Sequence, residues 1–304
     1  MHDDDGVSWP EKTCELRNQF MDSTRWDGFE FREGDVVIAT CMKSGTTWVQ
    51  QIVGQLIFNG AENMPVMDIC PWVDLRVLPK DEMVQALGAQ KHQRFMKTHL
   101  PVHSLLFSQK ARYLYIGRDG RDALWSWHNH HASLNDTAYQ AFNGTPGRVG
   151  PPLDKPKDDI VEYFHDWLDN DGYPIWPFFS NVQSWWDIRN LRNVMLLHFD
   201  DLKADLEGSI RRIANFLGLT VDTELWPTIV EHCTFAYMKE HADSLTPRLE
   251  QMFNGGGKRF IYKGTNGRWR DALSAADIRK YDEVAARGLS ADCAKWLAGE
   301  TAAF

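Results

Sequence analysis

Lys97 and His99 stand two residues apart in RFMKTHLP, at the end of a short apolar run. In extended chain, residues i and i+2 point to the same face, so a cation and an imidazole would meet one ligand together. Histidine is the natural proton acceptor near neutral pH. Two surface residues flanking a turn would fit the same spacing. A second group lies upstream in VVIATCMKSGTTW: Lys43, Ser44, Gly45, Thr46, Thr47 and Trp48. Hydroxyls, a lysine and a glycine ahead of a helix suit a phosphate, because a helix N-terminus offers free N–H groups and the positive end of its dipole. Gly45 permits close backbone approach and Lys43 adds a mobile charge. An ordinary strand-to-helix turn with an exposed lysine is the plainer alternative. A third group is Arg118 with Ser126. Arginine suits bidentate phosphate binding, although a salt bridge to Asp122 would account for Arg118 equally well.

These residues need elements to hold them. Val36–Ala39 is apolar and largely β-branched, the mark of a buried strand. From Thr46, Val49, Ile52, Val53, Leu56 and Ile57 recur at helical spacing. Arg94–Thr98, Arg112–Gly117 and Val194–His198 read as further strands. Helices are expected at Asp81–Leu87, Val102–Ser108, from Asp119–Asp122 onward, Asp158–Asn170, Phe178–Arg189, Leu206–Leu217, Asp222–His232, Phe235–His241 and Ala275–Leu297. Residues 1–33 carry few regular signals and are expected to lie against the domain. Residues 60–80 read as loop with short helical pieces, and Asn143–Lys157, rich in proline and glycine, as loop. Asp243–Lys263 holds Pro247 and the run Gly255–Gly257, and is expected to be a mobile lid. Strands alternating with helices argue for an α/β fold, a central parallel β-sheet flanked by helices. Ligands then sit at the carboxyl ends of the strands, where the loops at 41–46, 99–101, 118–120 and 199–201 should converge.

The 304-residue chain reads as a single domain over 1–304. Its net charge of −9 argues against nucleic acid, so an anionic ligand must be held by a local cluster. Five scattered cysteines without a C-x-x-C pair argue against a disulfide framework or a zinc site. The acidic start is neither a leader nor an anchor, and no run reaches membrane-spanning length. A cytoplasmic protein without membrane contact is expected. His128, His130 and His131 do not share one helix face as a metal triad would, and no metal is expected.

Three motifs in this order carry a resemblance: Lys43-Ser44-Gly45-Thr46-Thr47-Trp48, then Lys97-Thr98-His99-Leu100-Pro101, then Tyr115 to Asp122 with Ser126. With Leu197–Leu202, Ile210–Gly218, His232–Phe235 and Lys263-Gly264-x-x-Gly267-x-Trp269, the chain resembles the cytosolic sulfotransferase family over about 34–270. That family moves a sulfuryl group from 3′-phosphoadenosine 5′-phosphosulfate (PAPS) to a hydroxyl or amine, leaving 3′-phosphoadenosine 5′-phosphate (PAP). The resemblance implies that Lys43 touches the 5′-phosphate and the bridging oxygen, and that Ser44, Gly45, Thr46 and Thr47 donate to that phosphate. Trp48 would stack on adenine opposite Phe235, with Thr234 beside it and Phe199 near the base. His99 would take the acceptor's proton and Lys97 would face the transferring oxygens. Arg118 and Ser126 would hold the 3′-phosphate, under Tyr262, Lys263 and Gly264.

The chain departs from the family in places. Met42 replaces the usual proline before the lysine. Phe199 replaces a tyrosine. Tyr262 stands where the family has an arginine ligand of the 3′-phosphate; Lys258, Arg259 and Lys263 lie within five residues and could substitute. The family's C-terminal dimer motif is unmatched, with Arg270, Ser274-Ala275 and Arg279 in that region, so oligomeric state stays open.

The function expected is PAPS-dependent sulfuryl transfer, in line and with a histidine base, to a small hydroxylated acceptor, aromatic or apolar. Trp72, Trp125, Trp127, Tyr139 and Phe142 are candidates for its pocket, or for the core. One alternative is a P-loop kinase using ATP, but a Walker A loop places its lysine after the glycine, whereas Lys43 precedes Gly45. The other is a non-catalytic PAP-binding protein, for which a base at His99 would have no use.

Overall fold

The computed structural model describes residues 8–301. The acidic start, read above as neither leader nor anchor, lies outside the described residues over 1–7.

Four parallel strands form the sheet: β1 (Val36–Thr40), β2 (Phe95–Thr98), β3 (Arg112–Gly117) and β4 (Val194–His198), in spatial order β2-β1-β3-β4. Val36 pairs with Phe95 on one side and Arg112 on the other. All five residues of β1 are buried, as a strand covered on both faces must be. The alternation of side chains divides the core. Val37, Ala39, Tyr113 and Tyr115 face one cluster, which also holds Trp26, Trp127, Trp185 and Trp296. Val36, Ile38, Leu114 and Ile116 face the other, packed with Val49, Ile52 and Ile213. Most of the tryptophan is therefore core.

The helix after β1, α1, runs Thr46–Ile57 from Gly45, whose φ of 114° is a backbone only glycine adopts freely. The helix Leu206–Leu217 begins under an Asp205 cap and stops at Gly218. The sheet edge formed by the C-terminal ends of β1, β2 and β3 carries the loops at 41–46, 99–101 and 118–120, as expected for an open parallel sheet, whereas 199–201, expected as a fourth loop, opens the helix Phe199–Ala204 directly after β4.

Some elements differ from the sequence reading. Val102–Ser108 is only a 3-10 turn, Val102–Ser104. Asp136–Gly144 is a helix capped by Asn135, taking in Asn143 and Gly144, the expected start of the loop. Ala275–Leu297 is two helices, because Ser290 caps a new one at Ala291. Within Asp243–Lys263 the chain makes helical turns at Ala242–Leu245, Leu249–Gln251 and Gly256–Phe260, so the glycine run starts a helix and is not open loop. The segment before β1 is drawn into the core through Phe20, Met21 and Trp26. No helix among the described residues is long and apolar enough to cross a membrane.

Candidate active site

A cavity of about 580 Å³ opens at this sheet edge, and Lys43, Lys97, His99 and Arg118 all line it. His99 is buried at the end of β2. Its Nδ1 lies 2.9 Å from the Thr40 carbonyl and 3.0 Å from Thr40 Oγ1. A carbonyl only accepts, so Nδ1 carries the proton and Nε2 keeps its lone pair. Burial holds the imidazolium form down, with Lys97 and Lys43 adding to the effect, and the pKa falls to about 3. His99 is thus neutral through the physiological range. Trp72 meets the ring edge-on at 4.7 Å, and the His99 backbone N–H donates to Asp74.

Lys97 is buried with its ammonium 5.3 Å from the Trp72 ring, and burial lowers its pKa. Lys43 has a φ of 69°, a left-handed backbone uncommon for a residue with a side chain. Its Nζ sits 3.2 Å from His130 Nδ1 and 4.6 Å from the Phe260 ring centre. Burial first, then the charges of Arg118 and Lys97, pull it to about 7. Lys43, Lys97 and Arg118 share the cavity with Lys203, Arg248, Lys263 and Arg268, and among the described residues Asp68 is the one carboxylate on its lining, an imbalance that suits an anion.

Around the phosphate loop, Ser44 Oγ is buried without a partner among the described residues. A Cβ on Gly45 would come within 3.0 Å of the Ile116 side chain and 3.1 Å of Phe199. Thr46 Oγ1 pairs with Thr40 Oγ1 at 2.7 Å, tying the loop to the residue that orients His99. Thr47 and Trp48 line the cavity, and Trp48 Nε1 donates to the Cys233 carbonyl.

Arg118 is held by neutral acceptors: the Lys43 carbonyl at 3.0 Å, the Thr265 carbonyl at 3.1 Å and Asn266 Oδ1 at 2.9 Å from Nε. Burial takes it down to about 10, with Arg268 adding to the pull and Asp122 opposing it. Asp122 does not serve as its salt-bridge partner; it accepts from the Gly267 backbone N–H at 2.7 Å. Phe199 lies between the Arg118 guanidinium, 4.2 Å from its centre, and Trp48 at 5.4 Å.

The sulfotransferase domain family matches residues 33–296. The chain belongs to the sulfotransferase family. It is similar to a glycolipid sulfotransferase of Mycobacterium bovis (strain BCG / Pasteur 1173P2), 29% identical over 290 residues and covering 87% of this chain and 88% of that one. It is also 28% identical over 263 residues to sulfotransferase 2A6 of Rattus norvegicus, covering 84% of each. Among solved structures, retinol dehydratase in complex with androsterone and inactive cofactor PAP aligns with a TM-score of 0.71 at 21% identity, over 88% of this chain and 84% of that one. A mouse sulfotransferase complexed with PAP aligns at 0.68 and 20%, over 90% and 92%. These structural likenesses speak for the fold, and the expected parallel-sheet architecture is the one observed.

In this sulfotransferase Ser126, Phe235, Tyr262, Lys263 and Gly264 also line the cavity. Gly264 lies against Phe235, whose ring would be 2.8 Å from a Cβ there. Thr234 does not line it; its hydroxyl caps the helix Phe235–Glu240 and donates to the Glu231 carbonyl. Trp72 and Phe142 face the cavity, whereas Trp125 and Trp127 are buried in the core and Tyr139 packs on His131. The three neighbouring histidines point apart: His128 meets the Lys157 carbonyl, His130 meets Lys43 and His131 meets the Tyr163 hydroxyl.

Sequence reasoning missed His130, Asn266 and Arg268. His130 sits four residues after Ser126 on one helix face, a spacing that could have placed it. Asn266 and Arg268 lie in the gaps of the Lys263-to-Trp269 motif, where nothing marked their chemistry. It also missed Phe20, which reaches the cavity from the segment before β1 without any local signal.

Proposed function

We propose that this sulfotransferase uses PAPS as donor and transfers its sulfuryl group in line to the hydroxyl of a small, largely apolar acceptor. When bound, PAPS supplies the activated sulfuryl group, and its departure leaves PAP. The observation that carries the reading is the neutral, Nδ1-protonated His99 in the same cavity as Lys43 and Arg118. His99 Nε2 takes the acceptor's hydroxyl proton as the oxygen attacks sulfur. Lys43, once charged, offsets the negative charge that grows on the departing phosphate oxygen. Lys97 faces the transferring oxygens.

The residues present fit the donor. Ser44 Oγ is an unpaired buried hydroxyl beside the first N–H groups of α1. Gly45 and Gly264 keep clear the space that a side chain would fill. Trp48, Phe199 and Phe235 offer aromatic surface for a base, and Arg118 with Ser126 offers a site for the 3′-phosphate. The apolar lining, including Phe20, Trp72, Leu134, Phe142 and Phe253, suits an acceptor with a large hydrocarbon surface. The PAP-bound structural neighbours and the glycolipid and 2A6 relatives agree with this class. The five unpaired cysteines suit a reducing, cytoplasmic setting.

The kinase alternative lacks support, because among the described residues the one carboxylate on the cavity wall, Asp68, faces Arg248 at 3.5 Å. Phenols, alcohols, sterols and glycolipids incubated with PAPS and read by mass spectrometry test the proposal. A gain of one sulfuryl group on any of them is expected. PAP binding without transfer to any acceptor class would favour the non-catalytic alternative.

A further inference from the structure

The family's third ligand of the 3′-phosphate is Tyr262 in this chain, which has no charge to offer. Arg268 lines the same cavity as Arg118, Ser126, Tyr262 and Lys263, and its charge acts on Arg118. Its guanidinium carbon is 5.9 Å from the Tyr262 ring centre. Its Nε is buried and has no hydrogen-bond partner among the described residues. Among the described residues no carboxylate pairs with it. The acids that might have done so are engaged: Asp122 accepts from Gly267 N and Asp200 from Asn266 Nδ2 at 2.6 Å.

The turn that presents Arg268 is tied at three consecutive residues. Arg118 holds the Thr265 carbonyl, Arg118 and Asp200 hold Asn266, and Asp122 holds Gly267. Arg268 follows directly, in the short turn Arg268–Asp271. Two guanidiniums therefore face one cavity from a fixed frame, and among the described residues neither has a carboxylate in direct ion-pair contact, although Asp122, Asp200 and Asp119 lie near enough to act on Arg118. Arg118 is oriented by neutral oxygens, which position it without cancelling its charge. Of the nearby alternatives, Lys263 lines the cavity but brings a point charge and no planar fork, and the other two are poorer. Arg259 is committed to Ser133 Oγ at 2.8 Å, and neither it nor Lys258 lines the cavity.

We propose that Arg268 takes the place of the missing arginine and, with Arg118 and Ser126, binds the 3′-phosphate of the donor. The inference rests on the PAPS reading above. A planar fork of donors matches a phosphate better than the tyrosine hydroxyl can, and the unpaired Nε needs an acceptor when the cavity closes on its ligand.

Calorimetry of PAP and 5′-AMP binding tests it without reference to turnover. The wild type should prefer PAP by at least about tenfold. Arg268→Gln should weaken PAP binding by roughly tenfold or more, the range for losing a hydrogen bond to a charged group, and leave AMP affinity unchanged. Arg268→Lys should lose less, and Arg259→Gln should change neither ligand. Adding Tyr262→Arg to Arg268→Gln should restore the preference. Equal wild-type affinity for PAP and AMP would overturn the PAPS reading itself. A wild-type preference that survives in Arg268→Gln would leave that reading standing and overturn the role of Arg268. Loss of AMP binding together with PAP binding in both Arg268→Gln and Arg268→Lys would also overturn it, by making the arginine a part of the frame.

Discussion

The two parts of the cavity wall are built by different rules. The polar part, with Lys43, His99 and Arg118, is placed by hydrogen bonds at stated atoms on the ends of β1, β2 and β3. Each group there has one direction to point and a reason to point that way. The apolar part, with Phe20, Trp72, Phe142 and Phe253, comes from four separate stretches of chain and contacts whatever fills it. Hydrophobic contact is non-directional and scales with area. Side-chain position is therefore specified tightly on one side, and the shape of an occupant loosely on the other. Changes on the polar wall should act on turnover or donor affinity, and changes on the apolar wall on acceptor KM.

The largest effect is expected at His99. His99→Ala should lower turnover by roughly 10²–10⁴-fold, the range for a general base, with PAP affinity nearly unchanged. Near-wild-type turnover under conditions where chemistry limits the rate would remove the base from His99. Lys43→Ala comes next, with kcat reduced by roughly 10²–10³-fold, as for an oxyanion donor, and a smaller rise in the PAPS KM. A pure KM effect would make Lys43 a ground-state anchor only.

The depressed pKa values give a third expectation. Free Lys43 loses its proton as pH rises through about 7, whereas a bound phosphate would keep it charged. PAP binding should take up a proton above pH 7, and affinity should fall by up to about tenfold per pH unit. Calorimetry in buffers of different ionisation enthalpy measures that uptake. His99, held neutral down to about 3, should contribute no acid limb near its ordinary range of about 6.5. Affinity for PAP that is flat from pH 7 to 9 would contradict the linkage.

Smaller effects test the roof and the apolar wall. We propose that the segment 243–263 closes over the donor, since Lys263 and Tyr262 at its end line the cavity. Hydrogen exchange there should slow by roughly tenfold with PAP, and identical protection would end the idea. Leu78 is on the cavity wall and 48% exposed. Leu78→Ser should raise the acceptor KM by about threefold to tenfold, in line with about 1 kcal/mol of lost apolar contact, and leave kcat and PAP affinity alone. A drop in kcat of the same size would show that the two walls are not separable.

The sequence by itself determined the strands, the phosphate loop and the motif order, because these are local. Residues 36–57 show β-branched run, turn and helical period side by side, and all four strands were legible within one residue of their ends. Lys43, His99 and Arg118 were legible because each ends or follows such a strand. The tertiary structure alone decided which residues complete the cavity. Phe20 arrives from before β1, and His130 meets Lys43 across 87 positions. Arg118 is anchored by Asn266 across 148. Periodicity cannot report such contacts, since they depend on where helices pack against the sheet. Thr234 and Trp127 show the converse: a polar side chain can cap a helix and an aromatic one fill the core, and only the packed chain shows that neither faces the cavity.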